Sequence, residues 1–358
     1  MTDWAASGRV DSFEFILCDP FTLAELEPVE VSASESSLSW DKDSDNLYSG
    51  SIAALEPVSK DRLVRVRHTV NVGGETLTET LATMFVYAAS NKALYGRESH
   101  SARCYSTLFR LTQDRLASDF CRGNDKENPD NVVQAIRDLV EEVGGKLLVP
   151  DTEAAFNERT FGKPIWFELG ENRMDVVKTI ASWIGCEIGC DPDGNVTISE
   201  VIEPADKPSA YTFEAGRNCT YLPGTEVEDN RADIVNRVVA YCTDESGTER
   251  VVVELGEESP FSFARCGRYQ TAVLRFTEPC DTETLRGKAK AYLNENSGER
   301  RFYTIQHVSI PGLRVGDVVD YENDTDFAEP VKVRCEVAQM NMRSLTPGAL
   351  CTTKLRTI

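Results

Sequence analysis

The sequence contains little histidine and none of the short motifs that mark common catalytic sites. Its three histidines stand at positions 68, 100 and 307 of 358 residues. A solitary histidine is usually a satisfied structural side chain rather than a metal ligand or a general base. No H-E-x-x-H, G-x-S-x-G, Walker or G-x-G-x-x-G pattern occurs. The sequence therefore assigns no catalytic, cofactor-binding or metal-binding residue and argues against an enzyme.

Long apolar runs are also missing. No stretch approaches the ~20 apolar residues that a membrane-spanning helix needs. The first nine residues lack the basic and then apolar pattern of a signal peptide. We therefore expect no membrane insertion by this chain, and we expect it to be made and folded in a reducing cytosol.

Basic residues are outnumbered by acidic ones. The chain has 38 lysines and arginines against 59 aspartates and glutamates, a formal net charge of −21 at pH 7. Proteins bind nucleic acid mainly by neutralising its phosphates with lysine and arginine, so such binding is not expected here. Neighbouring carboxylates are expected from this composition alone. They are therefore no sign of a glycosidase pair, whose ~5–10 Å separation is a property of the fold.

The eleven cysteines are odd in number and scattered, which does not suit the disulfide framework of a small secreted protein. Several, such as Cys18 and Cys335, stand inside apolar runs and are predicted to be buried free thiols. Cys186 and Cys190 form the closest pair. With no second pair and no histidine nearby, they make a poor zinc site.

Asp191, Asp193 and Asn195 resemble the start of a calcium-binding loop. However, Pro192 separates the first two acids, and Ile202 occupies the position where the loop needs a glutamate. The same residues suit the tip of a β-hairpin, which is the interpretation we adopt.

The chain is long enough for two or three domains, and its patterns change twice along its length. Residues 10–17, 63–70 and 76–88 have the alternation or composition of strands. Residues 105–116 suit a short helix. Clearer helices are predicted after Asn128 to Asp130 and from about 173 to 184, the latter with Asn172 as N-cap, followed by a hairpin at 186–199.

After a possible linker at 204–208 the pattern is again mainly that of strands. One helix interrupts this region at 282–297, with Asp281 or Thr282 as its N-cap. The predicted order is therefore a β domain, a small α/β domain and a second β domain with one inserted helix.

Several segments together resemble a known family. They are the helix and hairpin of 167–199 with Asp193-Gly194 at the tip, the strand 233–241, the helix 282–297, and Ile310-Pro-Gly-Leu-Arg-Val-Gly-Asp-Val-Val319 with its turn at Gly316 and Asp317. Their order and spacing resemble those of the baseplate hub, or tail-tip hub, proteins of tailed bacteriophages, in particular the hubs of contractile phage-like particles and Gram-positive prophages.

The resemblance implies a mainly β fold with an α+β insert. Two β-barrel-like domains related to tail-tube proteins, at 1–100 and 206–358, would flank a small α/β domain at 101–205. It also implies a homotrimer whose pseudo-sixfold ring adapts the sixfold tail tube to a threefold spike or fibre. Some relatives append a peptidase or lysozyme domain, and because this chain ends at Ile358 we expect none here.

The implied partners are other tail proteins. A tail tube or distal tail protein would lie above the ring, and a spike, fibre or tail-lysin protein below it. The tape-measure protein and the DNA would pass through its channel, the DNA without specific binding. The implied location is the virion tail, after synthesis in the bacterial host cytoplasm.

Two alternatives stay open at this point. The chain could be another tail component, such as a distal tail or tube protein, or a cell-wall hydrolase of the tail. The hydrolase would require a nucleophile or a metal site that the sequence does not display.

Overall fold

The computed structural model describes residues 8–58, 62–94, 97–123, 130–150, 158–161, 164–216, 219–230, 234–244, 247–276, 281–298 and 300–358. The first strands are Val10–Cys18 (β1), Glu25–Pro28 (β2), Ser37–Asp41 (β3), Tyr48–Ala54 (β4), Leu63–Val72 (β5), Glu75–Leu94 (β6) and Arg97–Ser106 (β7). The middle strands are Phe120–Arg122 (β8), Leu147–Leu148 (β9), Ile165–Phe167 (β10), Cys186–Cys190 (β11) and Val196–Glu200 (β12). The last strands are Ser209–Phe213 (β13), Glu226–Asn230 (β14), Arg237–Asp244 (β15), Gly247–Glu254 (β16), Thr271–Phe276 (β17), Arg300–Val308 (β18), Val318–Asn323 (β19), Val331–Met342 (β20) and Leu350–Thr357 (β21).

Helices are fewer. They are Phe109–Gln113 (α1), Val132–Glu142 (α2), Arg173–Trp183 (α3), Phe263–Cys266 (α4) and Thr282–Asn296 (α5), with a short 3-10 turn at Ala33–Glu35. The fold is therefore mainly β, as the sequence predicted.

The chain divides into two compact units. The first comprises Met1–Thr225 with Ile305–Leu355, and the second comprises Glu226–Thr304 with Arg356–Ile358. The three-domain division expected from the sequence, at 1–100, 101–205 and 206–358, stays a prediction.

Most strands of the first unit lie in one sheet, in the order β18-β21-β20-β3-β4-β7-β6-β5-β1-β2. The antiparallel pair β3 and β20 joins the beginning of the chain to its end, with Trp40 opposite Met340. β13 and β19 extend the sheet beside β20. Strands from both predicted β domains thus belong to the same sheet.

The α/β part of the first unit contains α1 to α3 and the short strands β8 to β12. Its core is formed by the apolar faces of α2 and α3 together with the β11–β12 hairpin, and Ile136, Val177 and Ile198 are fully buried there. Asn172 caps α3 by accepting hydrogen bonds from the backbone N–H groups of Met174 and Asp175. The predicted helix, cap and hairpin are therefore confirmed.

The second unit has its own core. A three-stranded sheet in the order β16-β15-β17 covers one face of α5. Val238, Ala240 and Leu285 are fully buried between them. Asp281 is the N-cap of α5, since its carboxylate accepts the N–H of Thr284 at 2.7 Å.

One predicted element needs a correction. The helix expected over 105–116 is restricted to Phe109–Gln113. Tyr105 instead belongs to β7, where it pairs with Phe85 on one side and Ser49 on the other. Long-range strand pairing outweighs the local helical spacing there. Asn128 and Pro129, predicted to open the next helix, and Asp233, predicted to begin a strand, lie outside the described residues.

Candidate functional site

The turn at Gly316 and Asp317 connects β19 to the segment that precedes it. Gly316 has a φ of 87°, a region that side-chain-bearing residues rarely adopt, so glycine is required there for its backbone conformation. The N–H of Gly316 donates to the carbonyl of Val337, and the N–H of Val337 donates to the carbonyl of Asp317. The Asp317 carboxylate accepts the N–H of Arg314 at 2.7 Å, which closes the turn.

Two cations lie at this turn, Lys207 from another part of the unit and Arg314 from the turn itself. The Lys207 ammonium donates to the carbonyl of Gly316 at 3.1 Å. Arg314 donates to the Glu79 carboxylate at 2.8 Å, and that carboxylate also accepts the N–H of Gly312 at 3.0 Å. The predicted turn is therefore tied to β6 through Glu79. Burial raises the pKa of Asp317, although the N–H of Arg314 and the two nearby cations oppose this shift.

Glu79 is one member of a buried chain of charges. His68, on β5, is fully buried, and its Nε2 lies 2.9 Å from Asp11 Oδ1, while its Nδ1 lies 3.6 Å from Glu79 Oε1. Asp11 also accepts two hydrogen bonds from the Arg9 guanidinium, at 2.6 and 2.8 Å. When His68 is protonated, the charges alternate in sign along the series Arg9, Asp11, His68, Glu79 and Arg314. We refer to these five residues as the charge chain.

The charge chain favours ionised groups despite its burial. Burial by itself would lower the pKa of His68, but the hydrogen bond with Asp11 and the negative charges of Asp11 and Glu79 prevail and raise it. Burial opposes ionisation of Asp11 too, yet His68 and Arg9 lower its pKa to about 2. The pKa of Glu79 is also lowered, by His68 and Arg314 against its burial. The two carboxylates therefore favour the cationic form of His68.

A cavity of about 500 Å³ lies beside the Gly316–Asp317 turn. Its wall mixes apolar side chains such as Trp40 and Met174 with charged ones. Two of its lysines are paired, Lys42 with the buried Glu336 and Lys178 with Asp45. The charges of these two lysines are therefore already compensated.

The hairpin β11–β12 forms another wall of this cavity. The Cys190 thiol lies 3.1 Å from the hydroxyl oxygens of both Tyr48 and Thr107. Burial raises its pKa to about 11, which keeps it protonated and unreactive. The Asp191 carboxylate accepts the backbone N–H and the side-chain amide of Asn195, at 2.7 and 2.8 Å. These residues close a hairpin tip, as the sequence interpretation had it.

The other two histidines, His307 and His100, lie on different strands. His307, on β18, has its ring nitrogens 2.6 Å from the carbonyl of Val308 and 2.7 Å from the Thr353 hydroxyl, and burial lowers its pKa to about 4. His100 is buried on β7. Among the described residues, no three histidine, cysteine or acidic side chains come together as a metal site. No helix within the described ranges is long and apolar enough to cross a bilayer.

The sequence located the turn but not the charge chain. His68 was identified only as an isolated strand histidine, and Asp11 and Glu79 were not singled out. Both carboxylates come from strands adjacent to β5, where His68 is opposite Phe13 and Glu79. The ring of Phe13 stacks on His68 with centroids 4.7 Å apart. The register of the strands brings these groups together, and no local sequence motif predicts their proximity.

Comparisons with known proteins agree on the fold. No protein-family model matches the sequence, and no curated protein does. Among solved structures, a tail protein from Neisseria meningitidis MC58 is similar with a TM-score of 0.65 at 12% identity, covering 96% of each chain. A 43 kDa tail protein of prophage MuSo2 from Shewanella oneidensis gives 0.63 at 13% identity, covering 96% of this chain and 98% of that one. A prophage tail protein from Listeria monocytogenes EGD-e gives 0.55 at 11% identity, covering 96% and 94%.

These three similarities extend over nearly the whole chain. At such low sequence identity they establish architecture. The resemblance read from the sequence is thereby confirmed at the level of the fold: this chain has the fold of phage and prophage tail proteins.

Proposed function

We propose that this protein is a structural component of a phage or phage-like tail, and specifically a trimeric baseplate or tail-tip hub. The observation that carries the proposal is the fold match with the Neisseria tail protein, which spans 96% of both chains. A match of that extent leaves neither chain with a large domain that the other lacks. Fold alone does not define function, so the proposal also depends on the chemistry of the site.

The site's chemistry supports a structural role. The one histidine held between carboxylates, His68, is fully buried and already paired on both sides. A general base must reach the proton that it removes from a substrate, and this imidazole has no route to one. The charge chain ties β1, β5 and β6 to the Gly316–Asp317 turn, which is what a rigid assembly part needs.

In the proposed assembly, three copies surround the tail axis. Residues 1–100 and 206–358 would each supply a tube-like β domain, with 101–205 between them, so that three chains present six such domains to the sixfold tube above. A tail tube or distal tail protein would bind that side, and a spike, fibre or tail-lysin protein the other. The protein would be made in the bacterial cytoplasm and would act in the virion tail.

The channel of this ring would pass the tape-measure protein and then the DNA. The net charge of −21 per chain supports a role in which DNA is repelled rather than held, because strong binding to phosphates requires lysine and arginine. The acidic surface also provides solubility before assembly.

The test is the stoichiometry and symmetry of the purified protein. Native mass spectrometry should give a mass of three chains, and electron microscopy of the protein with its neighbouring tail proteins should show a threefold ring on the tail axis. A protein that remains monomeric in both experiments would contradict the hub assignment.

The same images separate the hub from its structural alternatives. Six copies around the axis would favour a distal tail or tube protein. The hydrolase alternative predicts digestion of peptidoglycan by the isolated chain, and that activity would have to vanish when a single carboxylate is replaced by its amide.

A further inference from the structure

The second unit exposes one whole face of its three-stranded sheet. β15 alternates between fully buried Val238 and Ala240, which contact α5, and the half-buried Val239 and Tyr241 on the opposite face. The face turned away from α5 is therefore open, and we call it the outer face. Sheets normally cover apolar faces, so its composition is informative.

The outer face has an apolar row across all three strands. Val239 is directly opposite Val252 on β16 and directly opposite Val273 on β17. Val252 is 46% exposed and Val273 is 63% exposed. Neighbouring strands are about 4.8 Å apart, so the three valines form a row roughly 10 Å wide.

A basic row borders these valines. Tyr241 is opposite Arg250 on one side and Arg275 on the other. Both arginines are exposed, and among the described residues neither takes part in an ion pair within 4.0 Å. Arg237 lies on the other side of the valine row. Its guanidinium carbon is 3.9 Å from the ring centroid of Tyr269, so it makes a cation–π contact.

An apolar centre with a tyrosine and two free arginines is the composition of a protein interface core and its border. The partner it fits has an apolar surface flanked by carboxylates. Nucleic acid fits less well, because the valines would face phosphates and the rest of the chain is strongly acidic.

The first unit carries a groove with that complementary chemistry. It has a volume of about 480 Å³ and lies along β1 and the edge strand β2. Its lining combines apolar side chains, including Phe13 and Leu26, with Glu14, Glu25 and Glu27, and contains no basic residue. Leu26 is 51% exposed. We call it the acidic groove.

The carboxylates of the acidic groove are not equally free. Glu25 pairs with Arg65 at 2.9 Å, and Glu14 lies 3.4 Å from Arg67. Glu27 is exposed and has no ion pair in the described part of the chain. Glu27 and the outward side of Glu14 are thus available to a pair of arginines.

We propose that the outer face of one copy docks into the acidic groove of the next copy. The apolar row would cover the exposed Leu26, and Arg250 and Arg275 would pair with Glu14 and Glu27. Two different surfaces meet in such an interface, so it is heterologous and can close into a ring. The inference rests on the proposed trimer and identifies the surfaces that would form it.

Charge reversal tests the pairing. The double variant Arg250→Glu, Arg275→Glu places like charges across the interface and should raise the concentration at half assembly at least about tenfold, measured by analytical ultracentrifugation. Glu14→Lys, Glu27→Lys should do the same from the other side. A chain that carries all four substitutions restores opposite charges in every interface and should assemble again.

A matched control changes equal charge elsewhere on the second unit. Arg286 and Lys290 are exposed on α5, away from the outer face, and Arg286→Glu, Lys290→Glu should leave assembly unchanged. Circular dichroism and the unfolding midpoint verify that each variant is folded.

The outcomes separate this inference from the proposed function. A wild-type trimer that is unaffected by either reversal overturns the docking surfaces and leaves the trimeric hub intact. Loss of assembly without recovery in the fourfold variant also overturns the pairing. A wild-type protein that stays monomeric overturns the trimer and the docking surfaces together.

Discussion

At the scale of single residues, the charge chain is the most constrained feature of the molecule. Asp11 is 6% exposed and His68 is fully buried. Transferring an ion from water into the protein interior costs several kcal/mol. Attraction between buried ions offsets this desolvation cost only when each charge has well-placed partners. Here every member between the two end arginines has an opposite charge on both sides. We therefore expect that removing one of these five residues lowers the free energy of unfolding by more than the five together contribute to it.

The protonation of His68 makes this prediction pH-dependent. A histidine with a raised folded pKa stabilises the protein below its unfolded pKa, about 6.5, and loses that contribution as the pH rises through the folded pKa. His68→Gln should therefore lower the free energy of unfolding by about 3 kcal/mol near pH 5.5 and by clearly less near pH 9. Urea unfolding of both proteins at the two pH values measures the difference.

His307 provides a control of opposite sign. Its pKa is lowered to about 4, so its contribution is complete above pH 6.5 and decreases as the pH falls toward 4. The penalty of His307→Gln should therefore grow between pH 5.5 and 7. If the penalty of His68→Gln also grew between pH 5.5 and 7, His68 would be neutral in the folded protein. The charges along the charge chain would then not alternate.

At the scale of elements, helix α3 depends on its cap. Asn172 accepts from the N–H of Met174 at 2.9 Å, and its amide donates to the carbonyl of Thr112 at 2.9 Å. Asn172→Ala removes both and should lower the free energy of unfolding by about 1–2 kcal/mol. Asn172→Asp keeps the accepting oxygen and should cost much less. Equal losses in the two variants, measured by urea unfolding, would show that the bond to Thr112 rather than the cap is decisive.

Elements with a local signal were predictable from the sequence. The cap at Asn172, the hairpin at 186–199 and the helix capped by Asp281 depend on residues within one turn of each other. The short strands β2 and β14 were missed, because four or five largely exposed residues carry no alternation of apolar and polar side chains. Their strand state comes from neighbours supplied by distant parts of the chain.

The candidate site shows the same division. Gly316 and Asp317 were found from the sequence, because a tight turn needs its glycine and acid in adjacent positions. The pairing of β3 with β20 and the approach of Asp11 to His68 join residues far apart in sequence. Such contacts are set by register across the whole sheet, which a single sequence does not encode in any short segment.

At the scale of the whole molecule, the two compact units have separate cores. Val177 is fully buried between α2 and α3 in the first unit, and Val238 is fully buried against α5 in the second. Each core is formed within its own unit. We therefore expect each unit to respond on its own to the loss of buried volume.

Matched valine-to-alanine substitutions test this independence. Each removes two methyl groups from a fully buried site and should cost its own unit about 2 kcal/mol. Amide hydrogen exchange followed by mass spectrometry should show faster exchange in β15 to β17 and α5 for Val238→Ala, with α2 and α3 unchanged. Val177→Ala should give the reverse pattern. If either variant accelerated exchange equally throughout the chain, the two compact units would unfold together as one cooperative structure.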